Sequence, residues 1–144
     1  MSKLSGVGDI DLVGAYLAVL REGFVEGKAL DGTRVVSTPF KYVSGAQVEV
    51  AVWEEDGALW ISDRGGLIEA LRYELGYLFE EYLDAMFDRF EDGLYGVEFL
   101  GNTFLLQTTE GRLGQDVATL VFALLETQAQ AGFWAADLWE DKDW

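Results

Sequence analysis

The stretch QVEVAVWEE, residues 47–55, followed by Asp56-Gly57 and then ALWISD, residues 58–63, limits the fold more than any other feature of the chain. Val48, Val50 and Val52 alternate with Glu49 and Ala51, and a period of two sends successive side chains to opposite faces of a strand. Asp-Gly is a preferred two-residue hairpin turn, because both of its positions tolerate positive φ. An antiparallel pair with one apolar face is therefore expected, and that face requires a cover. RVVSTPF, residues 34–40, joined through the Ser44-Gly45 turn, supplies a third strand and completes a meander.

The cover comes from segments with helical spacing. From Ile10 to about Val25, the residues Leu12, Val13, Tyr16, Leu17, Leu20 and Phe24 recur at steps of three and four, with Asp9 or Asp11 as the cap. Gly65-Gly66 releases the chain into LIEALRYEL, residues 67–75, a helix that Gly76 ends. In YLFEEYLDAMFDRFEDG, residues 77–93, Phe79, Tyr82, Leu83, Met86 and Phe90 share one side at about 100° per residue, with acids on the other. Residues 94–100 and 103–109 read as a hairpin across Gly101-Asn102. A last helix runs from about Leu113 to Gln130 over Val117, Leu120, Val121, Leu124 and Leu125.

The expected fold is thus α+β: an antiparallel sheet of about five strands in the order α-β-β-β-α-α-β-β-α, with helices packed on one side. A length of 144 residues suits a single domain, placed at 1–134, with 135–144 as an acidic tail carrying Trp139 and Trp144. Half of the residues are hydrophobic and 14% aromatic, which argues against intrinsic disorder.

Charge narrows the function classes. The chain has 26 acidic and 10 basic residues and no histidine, for a net charge of -16. Direct binding to a phosphate backbone needs clustered cations, so nucleic acid itself is not an expected partner. With neither histidine nor cysteine, the chain has no disulfide, no thiolate zinc site and no nucleophile of the Ser-His or Cys type. No apolar run approaches the ~20 residues of a membrane span, and Asp9 and Asp11 interrupt the first candidate for a leader, so a cytoplasmic protein is expected.

Thr38-Pro39-Phe40 at a strand, the alternating strand after it, and Ile61-Ser62-Asp63-Arg64-Gly65 leading into the helix of Leu67, Ile68 and Leu71 form a recognisable series. With the YGVEFLGNTFLLQT hairpin at 95–108 and the apolar last helix, the chain resembles the prokaryotic and phage family termed domain of unknown function 1828. The resemblance implies this order of elements and a setting of mobile elements and bacterial genomes, and it implies no established activity. The chain departs from the family pattern at Arg64, where members carry a second acid, and at Lys41–Gly45, where they carry a polar, aspartate-bearing segment.

Two readings of the acids follow. Glu49 and Asp63 lie on or beside adjacent strands and would serve a metal-dependent hydrolase if they converged, since Mg²⁺ accepts oxygen ligands alone. Their plainer roles are a solvent-facing strand glutamate and an aspartate capping the Gly65-Gly66 turn. The other reading concerns Glu80, Glu81, Asp84, Asp88, Glu91 and Asp92, with Glu54, Glu55 and Asp56 at the first hairpin turn. Helical spacing sets Glu80, Asp84 and Asp88 about 6 Å apart along one line. Such a ladder suits a non-enzymatic inhibitor that imitates nucleic-acid charge and fills the groove of a basic, DNA-binding defence protein, a CRISPR effector subunit or restriction enzyme. It equally suits a solvated face that maintains solubility. A third reading is a general interaction module docking through its Trp-bearing tail. No cofactor and no metal are expected in the inhibitor reading, and a monomer is its simplest state.

Overall fold

The computed structural model describes residues 8, 11–28, 31–93 and 95–140, with Glu91, Trp139 and Glu140 described by backbone alone. The expected α+β fold is present, with six strands rather than five: β1 (Val25–Lys28), β2 (Arg34–Lys41), β3 (Gln47–Glu55), β4 (Ala58–Ser62), β5 (Glu98–Leu100) and β6 (Thr103–Thr108). They form one antiparallel sheet in the order β1-β2-β3-β4-β6-β5. The helices are α1 (Leu12–Gly23), α2 (Gly66–Leu75), α3 (Phe79–Glu91) and α4 (Leu113–Glu140), with 3-10 turns at Gly76–Leu78 and Glu110–Arg112.

The alternation in β3 sets the two faces of the sheet. Val48, Val50, Ile61 and Phe104 are all at most 1% exposed and form the floor on which Leu67, Leu71, Leu120 and Leu124 pack. Trp53 pairs with Trp60 on the opposite face. Both two-residue hairpin turns have positive φ at their central residues, 53° and 78° at Asp56-Gly57 and 59° and 62° at Gly101-Asn102. This is the twist that matches the flanking strands.

The additional strand, β1, is short, entirely exposed and at the sheet edge. Val-Glu-Gly-Lys has no alternating pattern, so its pairing with β2 is decided by position and by the Glu26–Arg34 ion pair rather than by burial. The helix expected to end near Gln130 instead continues to Glu140. Trp134, Ala135 and Leu138 pack on the core, with Trp134 set edge-on to Tyr82 at 5.1 Å between ring centroids. The first six residues of the segment read as a tail, 135–140, thus belong to α4, and 141–144 lie outside the described residues.

The capping of α1 is as expected: Asp11 Oδ1 accepts from the Gly14 N–H at 2.9 Å. Its apolar stripe is not covered, however. No residue of α1 is buried, and Leu12, Val13, Tyr16 and Leu17 are all more than half exposed. The helix lies along β2, with Gly23 so close to Pro39 that a Cβ there would meet the proline ring at 2.4 Å.

Candidate functional site

The acidic helix is held from beneath. Phe79, Tyr82 and Phe90 are at most 4% exposed, and Leu83 and Met86 are half-buried against the same core. Phe90 contacts Tyr82, Phe99 and Phe104 with centroid distances of 6.3, 5.3 and 5.4 Å. Burial of such side chains contributes about 1.5–3 kcal/mol each, which fixes the rotation of the helix about its axis. Glu80, Glu81, Asp84 and Asp88 face solvent as a consequence. Asp92, just past the helix, is exposed and donates its N–H to the Asp88 carbonyl; the side chain of Glu91 lies outside the described residues.

Among the described residues, Glu80, Glu81, Asp84, Asp88 and Asp92 make no ion pair, although Arg89 stands in the last turn of the same helix. Among the described residues the ion pairs are Arg34–Glu26, Arg64–Asp31, Arg72–Glu69 and Arg112–Asp116, and none involves α3. The Arg72 guanidinium lies over the Phe79 ring, 5.1 Å from its centroid. Glu80 and Glu81 sit at the helix N-terminus, where the backbone dipole favours them. Asp88 and Asp92 sit at the opposite end, where it does not, so fold stability does not account for their placement.

The hairpin acids are elsewhere. Glu54, Glu55 and Asp56 are exposed at the β3–β4 turn, beside Thr108, Thr109 and Glu110, whereas α3 packs on β5 and α2. Glu55 accepts a hydrogen bond from the Trp53 indole at 3.3 Å. The two acidic groups therefore occupy separate neighbourhoods.

Glu49 and Asp63 do line one cleft, of about 660 Å³, between the β2–β3 turn and the start of α2. Asp63, however, is committed to the backbone. Its Oδ1 accepts from the N–H groups of Gly65 at 3.1 Å and Phe104 at 2.9 Å, and its Oδ2 from Leu67 at 3.0 Å. Burial pushes its carboxyl above the usual carboxylate range, opposed by those three N–H donors. This is the capping role, extended by a tie to β6. It works because Arg64 and Gly65 both adopt left-handed φ, 52° and 82°, folding the loop back over the carboxylate. Among the described residues, no group of three or more acids is placed to hold a metal ion.

The same cleft contains Tyr42, which the sequence did not single out. It is 4% exposed, and its buried hydroxyl has no hydrogen-bond partner among the described residues. The turn that carries it is fixed from the helix layer by the Val43 N–H, which donates to Gln128 Oε1 at 2.7 Å.

Comparison with protein-family models, curated proteins and solved structures gives no match. Among the described residues, no helix is long and apolar enough to cross a membrane. The 28-residue α4 fails that condition because polar residues such as Asp116, Glu126 and Gln128 interrupt it.

Proposed function

We propose that the chain is a non-enzymatic acidic binding protein that inserts the outer face of α3 into the cationic, nucleic-acid-binding groove of a partner and so excludes the nucleic acid. The observation that carries this reading is the exposed line of Glu80, Asp84 and Asp88, with Glu81 and Asp92 beside it, free of ion pairs among the described residues and mounted on a helix anchored by three buried aromatics. Charges about 6 Å apart on a stiff element offer carboxylates at fixed positions to Arg and Lys, the residues that otherwise hold phosphates. Complementary fields speed the encounter and weaken with salt.

The setting in mobile elements that the family resemblance implies points to a defence complex in the cytoplasm, a CRISPR effector or a restriction enzyme, as the owner of the groove. The Glu54–Asp56 turn, whose neighbours differ from those of α3, serves as a second contact or as a solvated surface. Binding measured across a salt series tests the mechanism. Affinity for the partner falls steeply as salt rises, and a flat profile would contradict a charge-driven interface.

A further inference from the structure

The cleft beside α2 is separate from the acidic helix and is rich in hydrogen-bond acceptors. Glu49 brings an exposed carboxylate from β3. Gln47 donates its Nε2 to the Thr38 carbonyl at 3.3 Å, which leaves its Oε1 to accept. Tyr42 brings a hydroxyl that is buried, unpartnered and located where it would lie 3.3 Å from a Cβ on Gly66. A phenylalanine at this position would avoid burying an unsatisfied oxygen, so stability gives no reason for the hydroxyl. Burial, with the carboxylates of Asp63 and Glu49 nearby, raises its pKa and keeps it protonated, so that its lone pairs remain available without adding a further negative charge.

Cations are scarce in the cleft. Among the described residues Arg64 is the only basic one on its walls, and its guanidinium is held by Asp31 at 3.0 Å. An anion is disfavoured, because Asp63 already takes the N–H groups of Gly65 and Leu67 at the helix N-terminus. Val35, Ala46, Ala51 and Ala70 give the wall a small, apolar part, and Ser44 and Glu69, the latter paired with Arg72 at 3.9 Å, add polar groups.

We propose that this cleft binds a primary ammonium group on a short methylene stem, with Glu49 as counter-ion and Tyr42 Oη and Gln47 Oε1 as further acceptors. An ammonium has three donors and no acceptor, which matches that set, and its stem suits the alanine-lined wall. The group is common to free aliphatic amines and to the lysine side chain of a protein partner. The site uses none of the α3 acids, so it stands or falls independently of the proposed function.

The test is an amide-resolved NMR titration of the full chain at fixed ionic strength, in one arm with 1,4-diaminobutane and in the other with Nα-acetyl-lysine methylamide. Saturable shifts centred on Ala51, Gly65 and Gly66 are expected. Tighter binding in the first arm identifies a free amine, and equal or tighter binding in the second identifies a lysine side chain. Glu49→Gln weakens binding by about tenfold or more and Tyr42→Phe by about fivefold, while Asp84→Asn leaves it unchanged. Thermal melts establish that each variant is folded. Unsaturable shifts spread over the acidic surface, or wild-type affinity in either Glu49→Gln or Tyr42→Phe, would overturn the proposal.

Discussion

Asp63 gathers the N–H groups of Gly65, Leu67 and Phe104 onto one carboxylate, so its removal leaves three backbone donors without partners, two of them in buried bonds. Asp63→Ala is expected to lower stability by about 3 kcal/mol or more, read as a shift of the urea midpoint with an unchanged slope. Loss of a solvent-facing metal ligand would have far less effect. Glu74 on α2 poses the opposite problem. Its Oε2 is buried in the α2–α4 contact near Gly132 with no partner among the described residues, and burial raises its pKa above the ordinary carboxylate value. A carboxyl whose folded pKa lies above the unfolded value favours folding when protonated, and that contribution is lost as pH rises through the folded pKa. Glu74→Gln is therefore expected to melt higher than the wild type at pH 8, with the difference shrinking as pH falls through the raised folded pKa and the change complete once pH is below the ordinary carboxylate value; a gap that widens on acidification would contradict the assignment.

Along α3, Glu80, Asp84 and Asp88 repel one another at four-residue spacing, each such pair destabilising the helix by about 0.2–0.5 kcal/mol. Asp84→Asn removes both contacts and is expected to raise stability by about 0.4–1 kcal/mol in urea unfolding at low salt while weakening the partner complex. Elements of this kind were legible from spacing alone. The inner face of Phe79, Tyr82, Leu83, Met86 and Phe90 is buried or half-buried, and β3 occupies its expected residues 47–55. Legibility failed where burial does not enforce a pattern. β1 is exposed at every position, and no period in Val-Glu-Gly-Lys distinguishes it from a loop. In α4, the Ala131-Gly132 pair obscured a stripe that continues to Trp134 and Leu138 at the same helical steps. Gly132 is tolerated there because α2 passes close by, and a Cβ would lie 3.2 Å from Glu74 Oε1. The cleft at Tyr42 was not legible at all, since an unpartnered hydroxyl is a property of packing and leaves no mark on spacing.

At the scale of the molecule, a net charge of -16 on 144 residues means self-repulsion in the folded state that dissolved ions screen. Adding sodium chloride from low ionic strength should raise the melting temperature, whereas the proposed complex should loosen over the same range. These opposite responses separate a charge that the fold merely tolerates from one that an interface uses. The most direct measurement of that interface is competition by duplex DNA. A DNA-binding partner captured from host lysate on the immobilised chain should be released by duplex DNA, and the folded triple variant Glu80→Lys, Asp84→Lys, Asp88→Lys should capture none of it. Retention of the partner in excess duplex, or its undiminished capture by the triple variant, would contradict the account.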